Sequence, residues 1–158
     1  MRGGNVRERR VRGPYTLRDR RYVADWVIEN YPHAQVFYNL RLGGVPAELV
    51  ARYPGVDVNR MARVFKKTCD AVVVTEREIV LIEGELRRPL LALGELLIYR
   101  DLISTTPELQ PWSHFPVRTV LLCPVEDPSL DMALATHKIE KAVYKPPWVE
   151  QYLKEVMR

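Results

Sequence analysis

Two acidic residues separated by one glycine end an apolar run near the middle of the chain. Glu83 and Glu85 follow residues 79–82, and Asp70 begins the preceding apolar run. If the two runs form a hairpin around a turn near residues 76–77, Asp70 and Glu83 are approximate cross-strand neighbours, and Glu83 and Glu85 point to one side. Carboxylates in apolar surroundings are rare unless they are paired or bind a cation. The three acids therefore predict an all-oxygen site for Mg²⁺ or Mn²⁺.

A fourth acid, Glu95, lies within a leucine-rich stretch that follows Pro89 and predicts a buried helix over residues 90–103. Glu95 and Tyr99 are four residues apart, so they share one helix face. Taken singly, each of the four acids also fits a solvent-exposed position, and Tyr99 fits packing in the core. Their joint occurrence in this order favours a site.

The elements that would position these residues follow from apolar periodicity and from turn residues. Helices are predicted from Thr16 to about Asn30, over residues 90–103, 129–137 and 148–157, with a short helical turn after Pro46. Strands are predicted over residues 36–42, from Arg63 through Val64 and Phe65 to Val74, and over 79–82, 117–123 and 139–144. This order predicts one α/β domain.

At these residues the sequence resembles the PD-(D/E)XK nuclease superfamily, which has the restriction-endonuclease-like fold. Asp70 matches the first acid of the family motif, Glu83 matches the second, and Glu85 stands where the family usually has lysine. Glu95-Leu-Leu-Ile-Tyr99 resembles the Gln-x-x-x-Tyr motif of the RecB-like exonucleases, and Glu29 matches an acid on the first helix. The resemblance implies a mixed central sheet with flanking helices in the order α-β-β-β-α-β, followed by a helix, strand and helix extension.

The resemblance also implies metal-dependent hydrolysis of phosphodiester bonds in DNA. Asp70, Glu83 and the carbonyl of Gly84, together with Glu29, would hold Mg²⁺ or Mn²⁺, and the metal would activate a water molecule.

The other matched positions would assist that reaction. Glu85 would orient or deprotonate the water, while Glu95 and Tyr99 would position the site from the helix. Lys66 or Arg87 would supply the positive charge that the family lysine provides.

Two alternatives stay open beside a DNA nuclease. One is a nuclease-like domain without catalysis that serves as a structural or DNA-binding component, because Glu85 replaces the lysine. The other is a Holliday-junction resolvase, which has the same fold and requires a two-fold dimer. A core without a recognition domain fits a viral or mobile-element nuclease that obtains its specificity from a homodimer or a protein partner.

The net charge of +4 is unevenly distributed along the 158 residues. Residues 1–21 contain eight arginines against Glu8 and Asp19, a local balance of +6, so the remainder carries −2. We therefore expect a basic, partly disordered arm over residues 1–15 on a single domain over 16–158, with a role in solubility as the alternative. The residues expected to bind DNA are Arg7, Arg9, Arg10, Arg12, Arg87 and Arg88.

Apolar runs are too short to span a bilayer, and the charged N-terminus does not lead into a signal-peptide core. These features predict a soluble, cytoplasmic protein, in the host cytoplasm if viral, without membrane partners. Cys69 and Cys123 lie within apolar runs and lack metal-ligand spacing, which favours buried free thiols. Few Asn and Gln beside many Arg, Glu and Pro indicate a thermophilic host.

Overall fold

The computed structural model describes residues 15–65 and 67–158, with side-chain surroundings from Leu17 onward except at residues 62–66. Its helices and strands, in chain order, are α1 (Tyr15–Asn30), β1 (Gln35–Leu42), α2 (Ala47–Arg52), α3 (Val58–Phe65), β2 (Lys67–Val74), β3 (Ile79–Gly84), α4 (Pro89–Leu102), β4 (Val117–Cys123), α5 (Asp131–Thr136), β5 (Ile139–Val143) and α6 (Pro147–Val156). Short 3₁₀ turns lie at Ile103–Thr105, Pro107–Trp112 and Pro128–Leu130.

The five strands form one mixed sheet in the order β1-β2-β3-β4-β5. Strands β1, β2 and β3 pair antiparallel, and β3, β4 and β5 pair parallel. This mixed sheet with flanking helices confirms the predicted fold class. The order α-β-β-β-α-β and the C-terminal helix, strand and helix are also as expected. Between β1 and β2, α2 is the helical turn predicted after Pro46, and α3 is an additional helix.

The central strands are covered on both faces. On one face, Ala92, Leu96 and Tyr99 of α4 pack in a buried cluster with β-strand residues such as Leu81 and Leu121. On the other face, a second cluster joins α1, α6 and the sheet through Tyr22, Val23, Val149, Val80 and Val120. All six residues of β3 are buried, as expected for a strand that reads as a continuous apolar run.

The C-terminal extension holds α1 against the sheet. Tyr22 Oη donates a hydrogen bond of 2.7 Å to the backbone oxygen of Tyr144. Trp148 Nε1 donates one of 2.9 Å to Asp25 Oδ2. These contacts link the first helix to residues more than 120 positions later in the chain, so the position of α1 depends on the whole domain.

One predicted strand segment is wrong. Arg63, Val64 and Phe65 were expected to lead into β2, but they end α3, and β2 begins at Lys67. Residues Val58, Met61 and Val64 recur at helical spacing, and Asp57 Oδ1 accepts a hydrogen bond of 3.0 Å from the backbone N–H of Asn59 at the start of this helix. The helical period and the N-terminal cap therefore outweigh the β-propensity of Val and Phe.

Cys69 and Cys123 are both buried free cysteines, which confirms the prediction from their surroundings. In the described residues, none of the helices has the length and apolar character that crossing a membrane would require.

Candidate active site

The β2–β3 hairpin brings Asp70 and Glu83 together. Ala71 pairs with Ile82 in the ladder, and one further step places Asp70 opposite Glu83. The backbone N–H of Asp70 donates a 2.9 Å hydrogen bond to Glu83 Oε1, and the N–H of Gly84 donates one of 3.1 Å to Asp70 Oδ2. Each carboxylate is thus held by the backbone of the opposite strand, and the expected cross-strand relationship is present.

A cavity of about 390 Å³ opens beside this pair, between α1, α4 and the ends of β2 and β3. Five of its lining residues are acidic: Asp19, Asp70, Glu83, Glu85 and Glu95. Gly84 also lines it, so the structure brings together the hairpin acids, the intervening glycine and the helix acid that the sequence singled out. Asp19 is the acid that the sequence analysis did not select.

The acid of α1 in this cavity is Asp19, and Glu29 lies elsewhere. Glu29 is exposed, and one of its oxygens accepts a 2.6 Å hydrogen bond from Tyr144 Oη. Asp19 precedes the buried residues Tyr22 and Val23 by three and four positions, so it continues the helix face that packs on the sheet. This spacing was the signal for Asp19 in the sequence, and the structure places Asp19, rather than the predicted Glu29, at the cavity.

Burial and mutual repulsion raise the pKa values of these acids. Glu83 is only 5% exposed, and desolvation, followed by the negative charge of Asp70, raises its pKa to about 10. Desolvation and the charge of Asp19 raise the pKa of Glu85 to about 7. Desolvation and the charge of Asp70 raise the pKa of Asp19 to about 6. The cavity therefore holds more carboxyl groups than can all ionise near neutral pH without a cation.

Two observations bear on whether a cation fits. The negative charge of Glu95 contributes to the raised pKa of Glu83, so these two carboxyl groups lie close enough to repel each other. Asp19 Oδ1 is buried without a hydrogen-bond partner, which leaves an anionic oxygen to be satisfied. Across residues 15–65 and 67–158, no three His, Cys, Asp or Glu side chains are already grouped as metal ligands. The donors fit a hard cation in chemical type, although Asp70 and Glu83 at present accept hydrogen bonds from the backbone.

Positive side chains flank the acids. Arg20 of α1 lines the cavity and partly offsets the burial that raises the pKa of Asp70, and Lys67 at the start of β2 partly offsets the burial that raises the pKa of Glu95. Arg87 and Arg88 are exposed just beyond β3 and partly offset the rise in the pKa values of Asp19 and Glu85, respectively. The two arginines predicted near the site therefore lie beside it.

Of the remaining predicted residues, Tyr99 lies in the core, and the others lie outside the described residues. Tyr99 is 4% exposed in the α4 cluster, where burial and the nearby Glu83 raise its pKa, so it packs beneath the site. Lys66 lies outside the described residues. So do the arm residues Arg7, Arg9, Arg10 and Arg12.

The mixed α/β fold has counterparts among solved structures. The chain is similar to the crystal structure of a repair endonuclease from Pyrococcus abyssi, with a TM-score of 0.50 and 17% identity over 80% of this chain and 47% of that one. A structure of EndoMS in complex with double-stranded DNA also matches, with a TM-score of 0.45 and 17% identity over 93% of this chain and 51% of that one. This chain spans about half the length of each. No protein-family model and no curated protein matches the sequence.

Proposed function

We propose that this chain is a divalent-metal-dependent nuclease that hydrolyses phosphodiester bonds in DNA, with a site of PD-(D/E)XK type. The observation that carries the proposal is the reciprocal bonding of Asp70 and Glu83 across β2 and β3. This bonding places the two motif acids on one hairpin, at the mouth of an acidic cavity. A fold shared with a repair endonuclease supports the same class of activity.

Asp70, Glu83 and the carbonyl of Gly84 would hold Mg²⁺ or Mn²⁺, with Asp19 as the acid contributed by α1. A cation at these residues would lower the pKa of a bound water and neutralise charge on the phosphate. The raised pKa values and the unpartnered Asp19 oxygen support this assignment, because a cation would relieve both.

Glu85 occupies the usual lysine position, so it takes a different role. Its pKa of about 7 suits a group that accepts a proton from water near neutral pH. Glu95 would position Glu83 from α4, and Tyr99 would support both from the core. Arg20, which lines the cavity, would supply the positive charge toward the phosphate that lysine supplies in the family.

The test compares wild type with Asp70→Asn and Glu83→Gln, both nearly isosteric, in Mg²⁺ or Mn²⁺. Supercoiled plasmid, linear duplex, single-stranded DNA and a four-way junction are the substrates, and the exposed turn variant Glu76→Gln is the control. We expect cleavage by wild type and by Glu76→Gln, and loss of at least about 100-fold in the two site variants. Equal rates in all four proteins would refute the assigned site, and a strong preference for the junction would select a resolvase.

A nuclease-like domain without catalysis is the second candidate, and the position of Glu85 in the cavity favours it because it adds negative charge where the family has positive charge. This candidate predicts no cleavage on any of the four substrates and no thermal stabilisation by Mg²⁺. Salt-sensitive DNA binding would persist.

A further inference from the structure

Asn39 interrupts the pairing of β1 with β2 directly opposite Asp70. Tyr38 pairs with Ala71 and Leu40 pairs with Cys69, and the ladder skips Asn39 and Asp70 between them. Asn39 has a φ of +53°, in the left-handed region that residues other than glycine rarely adopt. The irregular point of the sheet therefore coincides with the first acid of the proposed active site.

Both strands change face at this point. Phe37 and Leu40 pack against the same buried cluster although they are three residues apart, and Cys69 and Val72 lie together within it. In a regular strand, residues three apart point to opposite faces. Neither strand is therefore regular at this point, and the conformation of Asn39 accompanies the switch.

The backbone conformation does not by itself explain why this residue is asparagine. Glycine adopts positive φ without the steric cost that a side chain imposes. The other described non-glycine residue with positive φ, Lys138, follows the end of α5 at a position where helices commonly terminate in this conformation. Asn39 lies within a strand and lines the acidic cavity. Strained residues of this kind are concentrated at functional sites.

The side chain of Asn39 has no hydrogen-bond partner among the described residues, although it offers two N–H donors and one acceptor. Among the described residues that line the cavity, three side chains carry hydrogen-bond donors in their ordinary ionisation states, and these are Arg20, Asn39 and Thr68. Thr68 lies two residues before Asp70 and pairs with Arg41, two residues after Asn39. A phosphate oxygen that enters a cavity of carboxylates needs donors of this kind.

We propose that Asn39 is a substrate-binding residue whose side-chain amide donates a hydrogen bond to a phosphate oxygen of the DNA strand in the cavity, an inference that rests on the nuclease function proposed above. The neutral amide of Asn39, on the β1 side of the cavity, adds a hydrogen bond to the attraction that Arg20 of α1 exerts on the phosphate. The strained backbone brings the amide to the position opposite Asp70, so the contact forms beside the proposed metal ligands.

The experiment separates the side chain from the backbone by means of Asn39→Gly, which permits positive φ but removes the amide. Lys138→Gly is the matched control, because it relieves the same backbone conformation away from the cavity. Asn39→Asp retains a side chain that tolerates positive φ and places another negative charge beside the phosphate. For each protein we would measure the melting temperature, kcat and KM for a labelled oligonucleotide duplex, and the Kd for that duplex in Ca²⁺ by fluorescence anisotropy.

We expect Asn39→Gly to melt at or above the wild-type temperature while its KM and Kd rise about tenfold or more, as for loss of a hydrogen bond to a charged group. Because the bond forms in the ground state as well, kcat should change less than KM. Asn39→Asp should bind more weakly than Asn39→Gly, and Lys138→Gly should match wild type within about twofold.

Unchanged KM and Kd in Asn39→Gly would overturn the inference and would leave Asn39 with a backbone role only. If wild type cleaves no DNA, the nuclease proposal fails, but the Ca²⁺ binding comparison still decides the role of Asn39. Weaker binding by Asn39→Gly in that comparison supports the contact, and equal binding, or no binding by wild type, refutes it.

Discussion

A β-carbon on Gly84 would lie 2.3 Å from Val23 Cγ2, so α1 crosses β3 at a distance that only glycine permits. Gly84 also donates its N–H to Asp70, and Asp19 lies one helical turn before Val23. The close approach therefore helps to bring the α1 acid to the hairpin acids. Gly84 therefore links the packing of α1 to the presence of Asp19 in the cavity.

Replacement of Gly84 by alanine should destabilise the protein and reduce cleavage. The added methyl group must displace Val23, which is almost fully buried, and such overpacking costs about 1–3 kcal/mol. Urea unfolding of Gly84→Ala would measure this cost. Gly94→Ala is the matched control, since its β-carbon meets no atom within 4 Å in the described structure and helix propensity should stabilise it by about 0.5–1 kcal/mol.

A double variant tests the contact itself. Val23→Ala should restore part of the stability lost in Gly84→Ala, because it removes the atom that overlaps with the new methyl group. Strictly additive losses in the two single variants and the double variant would contradict this explanation.

Glu83 should make the stability of the metal-free protein fall as pH rises. Its pKa is about 10 in the folded state against 4.5 for an ordinary glutamate, so the unfolded chain releases this proton first. The stabilisation is present in full below about pH 4.5 and is lost as pH rises toward about 10. In EDTA at pH 8, Glu83→Gln should therefore have a free energy of unfolding about 1–3 kcal/mol greater than that of wild type, as measured by urea unfolding. The difference should be smaller at pH 5.

The same variant should lose cleavage and thermal stabilisation by Mg²⁺, so its stability and its activity would change in opposite directions. Glu76→Gln, in the exposed hairpin turn, should keep the wild-type dependence on pH and Mg²⁺. If Glu83→Gln were less stable than wild type at pH 8 in EDTA, the buried carboxyl would be stabilising and the explanation would be wrong.

The hairpin acids could be predicted from sequence because a short polar turn between two apolar runs determines which residues face each other. Glu85 could be included because it lies two residues after Glu83 in sequence. Glu95 could be included because it lies on a helix that must cover the sheet. Asp19 was missed because α1 carries acids at residues 19, 25 and 29. The spacing of Asp19 from Tyr22 and Val23 distinguishes it only once α1 is known to cross β3 at Gly84.

Asn39 and α3 show two other limits of sequence reasoning. No sequence pattern marks the left-handed conformation of Asn39 within a strand, since asparagine is also common in ordinary turns. In α3, Val64 and Phe65 have strong β-propensity, and the helix is recognised only when Asp57 and the spacing from Val58 are considered together. Both features depend on context beyond a window of a few residues.

Cations beside the cavity should contribute to DNA binding in proportion to the phosphates they neutralise. Lys67 and Arg88 are exposed and flank the acids from β2 and from the residues after β3. Each replacement by alanine should weaken duplex binding and reduce the slope of log Kd against log salt by about 0.9 for each phosphate that the protein no longer neutralises. Arg77→Ala, in the β2–β3 turn at the other end of the hairpin, should leave that slope unchanged, and equal effects at all three positions would indicate a general charge effect.

The N-terminal residues should add a second, separable part of the affinity for DNA. Residues 1–14 contain five arginines and one glutamate, and α1 begins at Tyr15, so their removal leaves the described helix complete. Deletion should raise the Kd for duplex DNA and reduce its salt dependence, while the melting temperature stays within about 2 °C of wild type, far less than the loss of a packed element would cause.

A full-length variant with all five of these arginines replaced by glutamine distinguishes charge from chain length. If the arm acts through its charge, this variant and the deletion should lose the same part of the salt dependence, because counterion release follows the number of phosphates neutralised. Retention of the wild-type slope in both proteins would assign DNA binding to the domain itself. In that case the electrostatic attraction would come from cations of the domain, such as Arg20, Lys67, Arg87 and Arg88 beside the acidic cavity.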